Sequence, residues 1–543
     1  MFTRKRIGFI AMLVTVATLC SAFLFKQIQS DKFKIYFDTK LIEGKKEYLQ
    51  QPVANAAQLK RPNIILILAD DLGQTDISLY GNKQVSTPNI DAIGKDGVTF
   101  GEGYISSPVC SPSRAGLLTG RYQQRFGHEF QPNHRYLKNM AEYYGFKMLP
   151  RFKPLMPIKS TEVPPTEERL RQGLPPSEIT LAELLKKYDY KTGIVGKWHL
   201  GAADFAIPTA RGFDYQYGFY EAFTLYAPKN DPNIVNMPIR RDFMDQHEWK
   251  TAEGRTGNCA ILRNCCERQE ENKYLTDKLT DEAISFIDRS GAEPFFLYLP
   301  YNAPHAPLQV PKEYYAQFSH IKDPVKRIYA AMIKNLDDQV GRLMHHIDSM
   351  GMAENTIIVF LSDNGGASYN GTTDNAPYKG GKLTNFEGGI RVPFMMKWKN
   401  HINPGTVYNY PVMSLDIFAT IAGVVGIDMP ADRVYDGVNL ISFVNAIEQQ
   451  PAHESLFWRS EFNKAIRKGD YKLIINEYDN VNLLFNIKSD KEERHNLYDQ
   501  QPQVVQQLLK DLENWENELV KPLWPRVVNY VYKDEQGKYV YAF

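Results

Sequence analysis

The sequence predicts an α/β protein: a large mixed, mainly parallel sheet sandwiched by helices, followed by a smaller C-terminal domain with an antiparallel sheet and a helix. Three observations predict it. Continuous apolar runs recur between residues 63 and 396, and runs without polar alternation mark strands buried on both faces. Segments with helical apolar spacing lie between those runs, and strands alternating with helices build parallel sheets. From about residue 450 the texture changes to short strands separated by tight turns.

With 543 residues the chain exceeds what one core supports. Its formal net charge of +1 gives no global basic field, which argues against a nucleic-acid partner.

In chain order, Arg4, Lys5 and Arg6 precede an apolar run from Ile7 to about Phe25, and Cys20-Ser21-Ala22 offers a small-residue cleavage site. Residues 1–25 therefore read as a secretory signal peptide. The run is also long enough for a membrane anchor. A lipid anchor at Cys20 is a third reading, disfavoured by Leu19 before it. Each reading exports the protein, to the periplasm or beyond. Residues 26–60 are polar without clear periodicity, a leader or linker.

Residues 61–449 form the expected large domain. Its first strand, Asn63–Ala69, runs into Asp70-Asp71. Cys110 opens an expected helix. Leu181, Leu184 and Leu185 share a helix face ahead of the second strand, Tyr190–Val195, which leads into Gly196-Lys197-Trp198-His199. The third strand, Phe295–Leu299, leads to Pro304-His305-Ala306-Pro307. Met332, Leu336, Val340, Leu343 and Ile347 define a helix ending near Gly351, with His345 and His346 where imidazolium complements the dipole. The fourth strand, Thr356–Leu361, ends in Asp363-Asn364-Gly365-Gly366. Val392–Met396 is a weaker strand because Pro393 cannot donate to a ladder. In 450–543, short strands at 456–458, 464–467, 471–475 and 483–486 precede an amphipathic helix carrying Val505, Leu508, Leu512, Trp515 and Leu519.

Ligands of open α/β sheets bind beyond the carboxyl ends of strands, and the polar clusters fall there repeatedly. Asp70, Asp71, Asp363 and Asn364 supply hard oxygen ligands suited to Ca²⁺ or Mg²⁺. Singly, the first pair reads as a solvated turn or helix cap and the second as a tight turn. Cys259, Cys265 and Cys266 cluster in one loop. In an oxidising compartment they suggest a disulfide from Cys259 to Cys265 or Cys266; their spacing matches no zinc site.

The stretch Cys110-Ser111-Pro112-Ser113-Arg114-Ala115-Gly116-Leu117-Leu118-Thr119-Gly120 resembles the signature C-x-P-x-R-x-x-x-L-T-G of type I sulfatases, of the alkaline-phosphatase-like superfamily. The Asp-Asp, Lys-x-His, Pro-His, Asp-Asn and Glu387-Gly388-Gly389-Ile390-Arg391-Val392-Pro393 elements follow in family order, and the resemblance extends from about 61 to 520. It implies that a maturation enzyme oxidises Cys110 to formylglycine, whose hydrate attacks the sulfur of a sulfate ester. It further implies that Asp70, Asp71, Cys110, Asp363 and Asn364 bind Ca²⁺ (or Mg²⁺) and that Asp363 accepts the nucleophile's proton. Arg114 would steady the hydrate and carboxylates, and Lys197 and Lys382 would clamp sulfate. His305 would protonate the departing alcohol, and His199 would orient the remaining hydroxyl.

The expected activity is hydrolysis of sulfate monoesters, with a sulfated carbohydrate as substrate. The tract Arg121–Glu129 resembles bacterial sulfatases acting on algal polysaccharides such as carrageenan. Arg121, Arg125, His128 and Arg135 are candidates for lining a substrate pocket. Two alternatives stand: a phosphate or phosphonate monoester hydrolase on the same fold, and a non-catalytic glycan-binding relative. The oligomeric state is not legible.

Overall fold

The computed structural model describes residues 18, 21, 24, 26, 32–53, 61–132, 136–149, 154–158, 163–240 and 242–543. The expected signal segment lies almost wholly outside them, as does Arg135. Among the described residues no helix is long and apolar enough to cross a membrane.

A ten-stranded mixed sheet organises the chain. Its strands are β1 (Asn63–Ala69), β2 (Val98–Phe100), β3 (Lys191–Lys197), β4 (Tyr215–Phe219), β5 (Leu262–Arg263), β6 (Glu267–Arg268), β7 (Phe295–Pro300), β8 (Thr356–Ser362), β9 (Phe394–Trp398) and β10 (Thr406–Tyr408). Across the sheet the order is β10-β2-β9-β8-β1-β7-β3-β4-β5-β6. Neighbouring strands from β8 through β1, β7 and β3 to β4 are parallel. The carboxyl ends of β1, β3, β7 and β8 therefore share one edge. β9 pairs antiparallel with β8 and begins after Pro393, which stays out of the ladder.

The unbroken apolar character of β1 follows from burial on both faces. Ile65, Ile67 and Ala69 join the core beneath α4 (Leu275–Ser290) and α5 (Pro324–Ser349). Ile64, Leu66 and Leu68 join the opposite core with α2 (Cys110–Thr119), α3 (Leu181–Lys187) and α6 (Asp416–Val425). Each fully buried Leu or Ile contributes about 1.5–3 kcal/mol. The five apolar positions read on α5 are all buried, and Gly351 just beyond its end has φ +68°. His346 also bonds Asp288 at 2.8 Å.

Residues 39–50 form a helix, α1 (Thr39–Gln50), that no apolar stripe announces. Asp38 caps it through the Leu41 N–H. It docks by charge: Lys45 Nζ donates to Glu183 Oε1 at 2.5 Å and to Glu178 O at 2.7 Å. Glu183 itself completes a capping box with Thr180 at the start of α3.

The C-terminal sheet comprises β11 (Ser455–Ser460), β12 (Asn463–Lys468), β13 (Tyr471–Asn476) and β14 (Val481–Asn486), paired antiparallel in that order. It is covered by α7 (Pro502–Glu516), whose Trp515 stacks on Phe457 with centroids 4.9 Å apart. Leu519 lies beyond the end of this helix. An unforeseen hairpin, β15 (Val528–Asp534) and β16 (Gly537–Ala542), is extended by Leu155–Pro157.

The two parts are joined by buried charge. Lys472 Nζ, on β13, donates to Glu387 Oε1 and Glu493 Oε1 at 2.9 Å each, and all three side chains are fully buried. Glu493 Oε2 accepts the Glu387 N–H at 2.7 Å. Burial pushes the Glu493 carboxyl up, whereas Lys472 and Arg391 overcome burial and hold Glu387 low. Lys472→Met leaves Glu493 buried without a cationic partner and Glu387 with Arg391 alone, so a loss of about 3–5 kcal/mol is expected, read as a lower urea midpoint.

Cys265 and Cys266 are bonded to each other, and Cys259 is free. The expectation of a bond from Cys259 is thus corrected: its thiol is taken up by a small core with Phe223, Leu225 and Trp249.

Candidate active site

Each strand of the shared edge delivers its polar cluster to one place. β1 ends at Asp70-Asp71, β8 at Asp363-Asn364, β3 at Lys197, and β7 leads to His305. α2 begins at Cys110, so its free N–H groups favour an anion there. Arg114 lies one turn on, on the same face.

The contacts connect all but one of the sequence-predicted residues. Cys110 Sγ lies 3.7 Å from Asp70 Oδ1. Asp70 Oδ2 accepts Lys197 Nζ at 2.6 Å and lies 3.6 Å from Arg114 Nη2. Arg114 Nε and Nη2 reach Asp363 Oδ2 at 2.9 and 2.8 Å, and Nη1 donates to Lys197 O at 2.9 Å. The Asp71 N–H donates to Asp363 Oδ1 at 3.3 Å. Asp71 also accepts Asn364 Nδ2 at 2.7 Å and Lys382 Nζ at 2.8 Å. His305 Nε2 is 3.1 Å from Lys382 Nζ and 3.6 Å from Asp71 Oδ2. His199 stands apart from these contacts. It is buried, its Nδ1 has no partner, and its charged neighbours are Lys197, Arg114, Lys382 and His305.

Backbone packing fixes the frame. The Gly365 N–H donates to Gly389 O at 3.0 Å, and a Cβ at Gly365 would stand 1.9 Å from Gly388 O. The Asp363-Asn364 turn and the Glu387–Ile390 segment therefore seat directly on one another.

Burial and the nearby Asp363 push the Asp70 carboxyl up to about 7. For Asp71, burial is outweighed by Lys382 and His305, and its carboxyl falls to about 2. Burial, then Lys382, lowers His305 to about 3; burial and Lys197 lower His199 well below its ordinary range. Burial and Asp363 raise the Cys110 thiol to about 12, so it is a protonated thiol. Asp71 and the other partners hold Lys382 charged despite its burial.

This donor set fits a hard divalent cation. Three carboxylates, at most 3 % exposed, crowd together, and the buried Asn364 Oδ1 has no partner. Asp70, Asp71, Cys110 and His305 also bring ligand atoms within 4.8 Å of one another.

The residues proposed to line a substrate pocket do otherwise. Arg121 pairs with Glu178 at 2.6 Å, and Arg125 pairs with Asp436 and Glu518. His128 bonds Ser111 at 2.8 Å and meets Trp524 edge-on. Each finds its partner inside the fold, as buried polar groups must.

A buried cysteine at a helix start, facing carboxylates and two lysines at a parallel-sheet edge, suits a hydrolase of anionic esters, and the family match makes it one of sulfuric esters. The chain belongs to the sulfatase family: the Sulfatase family model matches residues 62–427, and that for N-sulphoglucosamine sulphohydrolase, C-terminal, matches 381–518. It is 33% identical to N-acetylgalactosamine-6-sulfatase of Mus musculus, over 76% of this chain and 71% of that one. It is 32% identical to steryl-sulfatase of Homo sapiens, over 76% and 74% respectively. The solved structure of Ps i-CgsB in complex with k-i-k-neocarrahexaose superposes with a TM-score of 0.70 at 32% identity, covering 86% of this chain and 94% of that one.

Proposed function

We propose that this sulfatase removes sulfate from a sulfated carbohydrate of the carrageenan type, outside the cytoplasm, using formylglycine at residue 110 and a divalent cation, Ca²⁺ ahead of Mg²⁺. The observation that carries the reading is the convergence of Cys110, three carboxylates and Lys197 and Lys382 on one sheet edge. The likeness to a structure holding a neocarrahexaose supports the substrate class, and the signal-like N-terminus supports export.

As formylglycine, residue 110 would supply an aldehyde hydrate: one hydroxyl attacks sulfur, and loss of the other's proton expels sulfate. A cation held by Asp70, Asp71, Asp363 and Asn364 would supply positive charge beside that hydroxyl. Lys197 and Lys382 reach the same point and clamp the sulfate oxygens. Asp363 accepts the attacking hydroxyl's proton while Arg114 holds that carboxylate in place. His305 Nδ1 lies 2.5 Å from Ala306 O, which fixes the N–H there and turns Nε2 to Lys382. A proton for the departing alcohol therefore passes to Nε2 before it is given up. The unpartnered Nδ1 of His199 is free to orient the second hydroxyl.

The test is sulfate release from k-i-k-neocarrahexaose, N-acetylgalactosamine 6-sulfate and 4-nitrophenyl sulfate, with 4-nitrophenyl phosphate alongside. Sulfate from a carbohydrate supports the proposal; phosphate release without sulfate release sinks it in favour of a phosphohydrolase. Dialysis against EDTA is expected to abolish activity and lower the unfolding temperature. Ca²⁺ at a hundredfold over its Kd should restore about 2.7 kcal/mol.

A further inference from the structure

We propose that Tyr226 is a positioning residue for His305: its hydroxyl clamps the two ends of the Asn302–His305 turn and so aims His305 Nε2 at the oxygen of the departing alcohol. The proposal rests on the reading of His305 as the proton donor to that oxygen and deepens it.

The turn follows β7, and within it the His305 N–H donates to Asn302 O at 2.9 Å. The Tyr226 hydroxyl meets both ends, 2.5 Å from Asn302 O and 2.8 Å from His305 O. Both partners are carbonyl oxygens and can only accept, so the single hydroxyl proton is shared between them. Burial raises the phenol well above its ordinary range, which keeps that proton in place. Between the two ends, the Ala303 carbonyl accepts the Asp70 N–H at 3.1 Å. The turn is thereby tied to the end of β1 on one side and to Tyr226 on the other.

Tyr226 is itself held firmly. It lies in the loop after β4, and its side chain is fully buried. Its N–H donates to Gln309 Oε1 at 2.8 Å, and its carbonyl accepts the Leu275 N–H at 2.8 Å. Its ring stacks on Tyr274 with centroids 5.4 Å apart, and the Tyr274 hydroxyl donates to Gln309 O at 2.8 Å. Fixing His305 O fixes the plane of the peptide that leads to Ala306, whose carbonyl holds His305 Nδ1. One buried hydroxyl thus governs where Nε2 points. As the S–O bond breaks, its electron pair stays on the alcohol oxygen, which takes the Nε2 proton. A donor displaced by about 1 Å costs about 10²-fold in rate. The cost grows with the basicity of the departing oxygen: an alkoxide needs the proton, whereas 4-nitrophenolate leaves without it.

The experiment measures kcat/KM of wild type, Tyr226→Phe, His305→Ala and the double variant on 4-nitrophenyl sulfate, phenyl sulfate and N-acetylgalactosamine 6-sulfate, a series of rising leaving-group basicity, with thermal unfolding in parallel. The two aryl esters carry the comparison whether or not the sugar ester is cleaved. Tyr226→Phe is expected to lower kcat/KM about threefold on 4-nitrophenyl sulfate and about 10- to 100-fold on the more basic members. In the His305→Ala background the same substitution should cost less than about threefold throughout, because the group it aims is gone. If Tyr226→Phe fails to fold, Tyr274→Phe, which loosens the Gln309 support of Tyr226, carries the series, with a loss on phenyl sulfate about threefold greater than on 4-nitrophenyl sulfate. A merely structural role lowers all members alike. Equal losses across the series, or full additivity in the double variant, beside a His305→Ala whose losses grow with basicity, overturn this inference alone. Equal losses in His305→Ala itself overturn the proton-donor reading and this inference with it.

Discussion

Cys110→Ala is expected to abolish sulfate release, by about 10⁴-fold or more, in a protein that folds as the wild type does. The side chain is small, buried and bonded only weakly to Asp70, so its removal should barely disturb the core. In the proposed mechanism catalysis depends on it entirely, because residue 110 supplies the attacking oxygen. Cys110→Ser separates two roles. A serine hydroxyl can attack sulfur, but its ester has no second hydroxyl to expel sulfate. At most one equivalent of sulfate is then transferred, and it remains on the protein, visible by mass. Wild-type protein from a host with the maturation enzyme should show residue 110 with sulfur and two hydrogens lost and one oxygen gained. Turnover by Cys110→Ala would overturn the mechanism.

Arg114→Met is expected to be nearly as damaging, through both stability and rate. The guanidinium is fully buried and spans Asp363, Asp70 and the Lys197 carbonyl. Removing it leaves Asp363 without its cationic partner in a low-dielectric site, while Asp70 keeps Lys197, a loss of about 3–5 kcal/mol. It also releases Asp363 from the orientation in which it would take a proton, which should cost about 10²–10³ in kcat. Arg114→Lys should recover little, since one ammonium cannot bridge three acceptors. Calorimetry and kcat measured together check this; a rate within threefold of wild type in Arg114→Met would refute it.

Cys110 and Arg114 were legible through the likeness of their stretch to the sulfatase signature, and the residues around them through a backbone rule. An apolar run must end somewhere, and Asp70, Lys197, His305 and Asp363 stand where four such runs end at one sheet edge. The order of β1, β7, β3 and β8 across the sheet was not legible, yet it was not needed to group them. What escaped the sequence had no period to betray it. α1 docks through Lys45 rather than an apolar face. Leu155–Pro157 finds its partner strand at Val528, hundreds of residues away. Arg121, Arg125 and His128 were read outward toward a ligand because their partners Glu178, Asp436 and Ser111 are set by tertiary structure.

The Lys472–Glu387–Glu493 junction bears on how such a chain can be divided or inherited. Its ammonium comes from one part, and the carboxylate it holds belongs to the segment that seats the Asp363-Asn364 turn. A fragment ending near residue 450 would leave Glu387 with Arg391 alone and without the ammonium that Lys472 brings to it. Exchange of C-terminal segments between relatives should therefore succeed only where the donor brings a matching lysine, which makes the boundary a seam in topology and not in heredity.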